Sequence, residues 1–205
     1  MTFMNRIFTP PPQWRPTTQA ADGLPRRRWM VAEIERMAED GYFREDERFE
    51  LVGGEIVPMS PKGRRHEIIR TQLAFHFTRW APDGVFVASE TQFNLGDDTY
   101  LDPDLLVHPF AIPSPDVRGG DALLVVEVAD TSLRYDLNTK APIYAAHGVP
   151  EYWVINAATL TTMVHRQPSG KVWGFADEVA AGDTLTPLLV PALAVSLSAL
   201  PLHLD

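Results

Sequence analysis

Residues 122–130, ALLVVEVAD, form an almost unbroken aliphatic run with a single acid, Glu127, near its end. A strand with one wet face alternates apolar and polar residues. A continuous run needs cover on both faces. The chain must therefore build a sheet with a layer packed on each side, and the flanking segments supply those layers. Residues 26–43 predict a helix with Met30, Ile34, Met37 and Ala38 on one stripe and Gly41 as terminator. Residues 64–81 predict a second helix, with His66, Ile69, Leu73, Phe77 and Trp80 on one face. Residues 135–148 predict a third, ending at Gly148.

Strands fill the intervals. RFELVGGEIVPM (48–59) predicts a hairpin turning at Gly53-Gly54. VFVASETQFNL (85–95) predicts one strand, with Glu90 and Gln92 on the same side, and YLDPDLLVH (100–108) another. Residues 151–159 and 161–175 predict two more, with a turn at Ser169-Gly170, and 183–200 a strand and a closing segment. The order implies a mixed α/β domain over residues 25–205. Residues 1–24, rich in Pro and Thr without periodicity, predict an irregular arm.

Composition narrows the function classes. The absence of cysteine excludes a disulfide framework and a thiolate zinc site. No apolar run reaches the ~18–20 residues that span a bilayer, so a cytoplasmic protein with no membrane partner is expected. The net charge of -9 counts mildly against non-specific nucleic-acid binding, although short basic clusters at 26–28 and 62–65 suit phosphates as well as open surface. His66, His76 and His108 lack the spacing of a zinc motif, and no glycine pattern for nucleotide phosphates is present.

Three residues invite chemistry. Glu127 sits among aliphatic neighbours, where an unpaired charge would cost several kcal/mol, so it is protonated, paired, metal-bound or a rim residue turned to solvent. Asp104 follows Pro103, which marks a strand start; the alternative is a turn-capping aspartate, and Asp102 shares its side. Asp136, Lys140 and Tyr144 recur every four residues and share a helix face, either as a surface ion pair or as part of a site. Pro142 places Lys140 near the start of the regular helix. Two carboxylates on neighbouring strands with a lysine close by suit a hard divalent cation that prefers oxygen ligands. Tyr152 and Trp153, flanked by Val154 and Ile155, read as core.

FELVGGEIVPMSPKGRRHEII, the DPD at 102–104 and VVEVADTSLRYDLNTKAPIYAAHGVPEYWVI at 125–155 together resemble the Uma-two family of the PD-(D/E)XK nuclease superfamily. The resemblance runs over about residues 27 to 200. It implies a restriction-endonuclease-like fold, a mixed central sheet flanked by helices, and Mg²⁺-dependent hydrolysis of phosphodiester bonds, with Mn²⁺ able to substitute. Asp104 matches the aspartate of the PD element and Glu127 the following acid. Ala129 stands where the usual lysine would be, and Lys140 on the next helix matches the residue that takes its role. Glu50 matches the glutamate of the first hairpin. The Val128 carbonyl joins Asp104 and Glu127 as a metal ligand. His66, Gln92, Ser132 and Asp136 are secondary candidates, His66 reading as a core or rim histidine first. The implied substrate is DNA ahead of RNA, and a homodimer is expected because cutting a duplex calls for two sites. The competing expectation is a nuclease fold that binds nucleic acid or protein without cutting it.

Overall fold

The computed structural model describes residues 27–44 and 46–204. The arm expected at 1–24 lies outside them. Among the described residues, ten strands form two sheets. The larger has the order β10-β9-β8-β7-β6-β3, from β3 (Val85–Ser89), β6 (Leu105–Pro109), β7 (Leu124–Ala129), β8 (Glu151–Asn156), β9 (Thr162–Ser169) and β10 (Val172–Val179). The smaller has the order β2-β1-β5-β4, from β1 (Phe49–Val52), β2 (Glu55–Pro58), β4 (Phe93–Gly96) and β5 (Thr99–Leu101).

The aliphatic run becomes β7, an inner strand with every residue buried. Its even-numbered side chains, Leu124, Val126 and Val128, pack with Ile69, Leu73 and Phe77 of α2 (Arg64–Trp80). Val125 and Ala129 face the opposite core, with Tyr144, Tyr152 and Leu106. Glu127 projects on that second side. Burying these side chains stabilises the sheet by about 2 kcal/mol each. β7 and β8 run parallel, as a helical crossover requires.

Several expected elements are interrupted. Residues 85–95 split into β3 and β4 in different sheets, because Glu90 has φ 49 and ends the ladder. Residues 100–108 split likewise into β5 and β6 around Asp102-Pro103, since proline offers no amide to either sheet. At the first break the chain passes from the large sheet to the small one, and at the second it returns. The third helix begins earlier than expected, as α3 (Leu133–Tyr135), widens into a π-helical stretch Asp136–Lys140, and continues as α4 (Ala141–Ala146). Pro142 is accommodated in the first turn of α4, where its missing N–H is not needed.

The first helix is α1 (Val31–Glu39); Val31 and Ile34 bury its face against Leu51 and Tyr100, while Met30 and Ala38 are exposed. Trp80, expected on the buried face of α2, is 55% exposed at its end. The hairpin turns as expected: Gly53 and Gly54 have φ 58 and 83, a pair that tight two-residue loops require and that only glycine adopts at low cost. Residues 183–200 form no strand beyond the single bridge Leu185–Val195, and instead close the α2 side of the core with short 3₁₀ turns.

Candidate active site

The junction between the two sheets holds a pocket of about 290 Å³ lined by Glu50, His66, Asp102, Asp104, Glu127 and Lys140, among others. Strand register brings the two central acids together. Leu105 pairs with Val126 and Leu106 with Val125, so one step further along the antiparallel ladder Asp104 lies opposite Glu127. The main-chain N–H of Asp104 points at Glu127 Oε2 at 3.4 Å. Asp104 Oδ2 accepts from the Val128 N–H at 2.8 Å and pairs with His66 Nε2 at 2.9 Å. Asp104 Oδ1 accepts from Lys62 Nζ at 2.7 Å.

Lys140 sits on the other acid. Its Nζ is 2.8 Å from Glu127 Oε1, 2.8 Å from Glu50 Oε1 and 3.8 Å from Asp136 Oδ1. The widened turn Asp136–Lys140 keeps both of its end residues buried against the sheet; π-helical turns recur at functional sites. Tyr144 donates to Glu127 Oε1 and Tyr135 to Glu50 Oε2. Ser132 does not touch the central acids; its hydroxyl donates to Asp136 Oδ2 at 2.6 Å and orients it. The surface reading of the Asp136–Lys140 pair is thereby excluded, since both are buried.

The charges are unevenly shared. Burial pushes the Glu127 carboxyl well above the usual range; Lys140 opposes this and Asp104 reinforces it. Burial and the neighbouring Glu50 raise Asp102 to about 6. Asp136 is raised by burial despite Lys140. Asp104 is buried too, yet His66 and Lys62 hold it down at about 2. Burial disfavours the Lys140 ammonium, but three acids outweigh it and keep its pKa well above 10.5.

Six acids, Glu50, Asp102, Asp104, Glu127, Asp130 and Asp136, thus line a pocket whose lysines are Lys62 and Lys140, so carboxylates outnumber cations. Burial raises three of them, Asp102, Glu127 and Asp136, and neighbouring carboxylates add to the shift. A hard oxygen donor set with surplus negative charge fits a divalent cation. Among the described residues no group of three or more His, Asp and Glu side chains is arranged as a ligand set by itself. A metal held here would draw on two side chains plus main chain and water.

Gln92 is placed elsewhere. The break at Glu90 carries it to a turn beside the small sheet, where its amide donates to Glu35 and Asn94. His66 is drawn into the site, although it also lies on the buried face of α2. Sequence reasoning did not single out Lys62, which was one letter in a basic cluster. Nor did it single out Glu90, which gathers Lys62 at 2.6 Å, Arg48 at 3.1 Å and Arg70 at 3.6 Å. Arg65 of the same cluster is committed to structure, donating to the Ala157 carbonyl at 2.6 Å. Arg27 and Arg28 pair with Glu33 and Asp98.

Among the described residues no helix is long and apolar enough to cross a membrane. The fold is shared with a solved structure described as a putative nuclease belonging to DUF820 from Anabaena variabilis. The two align with a TM-score of 0.64 at 14% identity, over 79% of this chain and 94% of that one. No curated protein matches the chain. A family model described as "Putative restriction endonuclease", Uma2, matches residues 31–199, and the chain belongs to that family.

Proposed function

We propose that the chain is a metal-dependent endonuclease that hydrolyses phosphodiester bonds in DNA. The observation that carries this reading is the placement of Asp104 opposite Glu127 on adjacent strands, with Lys140 fixed on Glu127 at 2.8 Å. Asp104 and Glu127 would hold the ion. The Val128 carbonyl would assist, because a strand residue directs its N–H and C=O to the same edge and the Val128 N–H already faces Asp104. Mg²⁺, or Mn²⁺ in its place, would polarise the phosphate and acidify a bound water.

The protein's own groups do the rest. Lys140 stays charged among three acids, so it can orient the attacking water and offset charge as it builds on phosphorus. Glu50, held by Lys140 and Tyr135, orients the water or a second ion. The water oxygen bonds to phosphorus and its proton leaves to solvent, while the bond to one ester oxygen breaks and that oxygen takes up a proton from solvent to leave as a hydroxyl. Arg48 and Arg70, both paired with Glu90 beside Lys62, suit the flanking phosphates. Duplex cutting calls for a homodimer, with one site per strand.

The test is nicking of supercoiled plasmid by the purified protein with Mg²⁺ or Mn²⁺. Asp104→Ala should abolish it; equal nicking by both proteins would overturn the assignment. A second reading, a nuclease fold that binds nucleic acid or protein without cutting, draws on one observation. Both central acids already carry protein counter-ions, Lys62 on Asp104 and Lys140 on Glu127. Partner binding with no Mn²⁺ uptake in calorimetry would favour it.

A further inference from the structure

The two lysines of the site are held very differently. Lys140 is 4% exposed, emerges from a helical turn and touches three acids. Lys62 comes from the irregular segment between β2 and α2, and its side chain keeps 16% of its surface open. It has two partners, Asp104 Oδ1 at 2.7 Å and Glu90 Oε1 at 2.6 Å.

The two oxygens of Asp104 are also unlike. Oδ2 is fixed by the frame of the fold, through the β7 main chain at Val128 and through His66 of α2. Oδ1 accepts from Lys62. Asp104 therefore presents to the pocket one oxygen whose partner is a loop side chain. That side chain has a second carboxylate to fall back on, because Glu90 would keep the ammonium paired if Asp104 were taken by another cation. Glu90 is itself locked, by Arg48, by Arg70 and by its main-chain N–H on the Asp104 carbonyl at 3.3 Å. Its left-handed backbone, φ 49, is a conformation that costs about 1 kcal/mol or more in a non-glycine residue and marks a position fixed by its surroundings.

We infer that Lys62 is a displaceable counter-ion: it occupies Asp104 while no divalent ion is bound, yields Oδ1 to that ion, and then engages a substrate phosphate at the pocket mouth. The inference rests on the nuclease reading and assigns a step to a residue outside its metal-ligand and Lys140 core. A cation that yields to the metal lowers apparent metal affinity, and one that engages a phosphate raises substrate affinity. A lysine that merely props the loop does neither.

Both consequences are measured without cleavage. Mn²⁺ binding by calorimetry should be up to about fivefold tighter in Lys62→Met than in the native chain, the size of releasing one partly exposed ion pair. Lys62→Arg keeps the competing charge and should stay near the native value. Binding of a labelled DNA duplex in Ca²⁺ should weaken in Lys62→Met, with the slope of log K against log salt reduced by about one. Mn²⁺ binding in Lys62→Met no tighter than in the native chain would overturn the counter-ion role, and an unchanged salt slope would overturn the phosphate role. If neither the native chain nor Lys62→Met binds Mn²⁺, the nuclease reading itself falls and this inference with it. Native binding with an unaltered variant defeats the inference alone.

Discussion

Lys140 Nζ lies at the same distance, 2.8 Å, from Glu127 Oε1 and from Glu50 Oε1, joining the large sheet to the small one through one buried ammonium. Removing one partner of such a group strands the others in a low-dielectric setting.

Lys140→Met should therefore lower unfolding stability by about 3 kcal/mol, at the low end of what a broken buried pair costs because Glu127 can take up a proton. Adding Glu127→Gln should recover part of the loss, since the remaining charge is reduced. Urea denaturation of the single and double variants reads the coupling. Additive losses would mean that the pair contributes no mutual stabilisation.

The π-helical turn gives a separate test. Deleting Asn138, an exposed residue within Asp136–Lys140, should regularise the helix and turn Lys140 relative to Asp136 and the sheet. The expected outcome is loss of plasmid nicking with a far-ultraviolet circular dichroism spectrum close to native. Retained nicking would show that the widened turn does not set the lysine.

Glu151 provides a control for buried acids in general. It is fully buried, accepts from Trp153 Nε1 at 2.8 Å and from Arg166 at 2.7 Å and 2.9 Å, and caps the Leu188 N–H. All of these are structural partners away from the pocket. Glu151→Ala should cost about 3–5 kcal/mol in stability by stranding Arg166 and the indole. Below its melting temperature the variant should bind Mn²⁺ like the native chain, whereas Asp104→Asn should not. Loss of Mn²⁺ binding in folded Glu151→Ala would extend the site beyond the sheet junction.

His165 gives a pH dependence. It is buried, its Nδ1 faces the Tyr152 carbonyl at 3.3 Å, and its ring stacks on Tyr152. Burial lowers its pKa below 6.5, and the Tyr152 carbonyl only partly offsets this. A group with a depressed folded pKa contributes stability that is present above the unfolded value and lost as pH falls through the folded one. The native chain should therefore lose stability as pH drops below about 6.5, beyond what carboxylate protonation explains. His165→Phe should flatten that part of the profile in thermal melts, and an unchanged profile would exclude His165 as its source.

Much of the site was readable along the chain, for a local reason. Glu127 stood out because an acid in a run covered on both faces must be compensated. Asp136, Lys140 and Tyr144 were legible as one face from their spacing. The glycine hairpin was legible because only glycine suits both turn positions. Gln92 went to the wrong place because period-two alternation assumes an unbroken strand, and Glu90 breaks it. Lys62 stayed hidden because nothing near it in sequence says which carboxylates a loop lysine will meet.

By itself the sequence determined that a doubly covered strand exists, that it carries an acid, and that a lysine follows on a helix, since these rest on spacing and on the cost of burying charge. Only the tertiary structure decided that Asp104 lies opposite Glu127, that Glu50 from a second sheet shares Lys140, and that Lys62 bridges Asp104 and Glu90. Those relations depend on ladder register and on where each strand leaves one sheet for the other. Register is set by pairing between segments far apart in the chain, which local pattern does not encode.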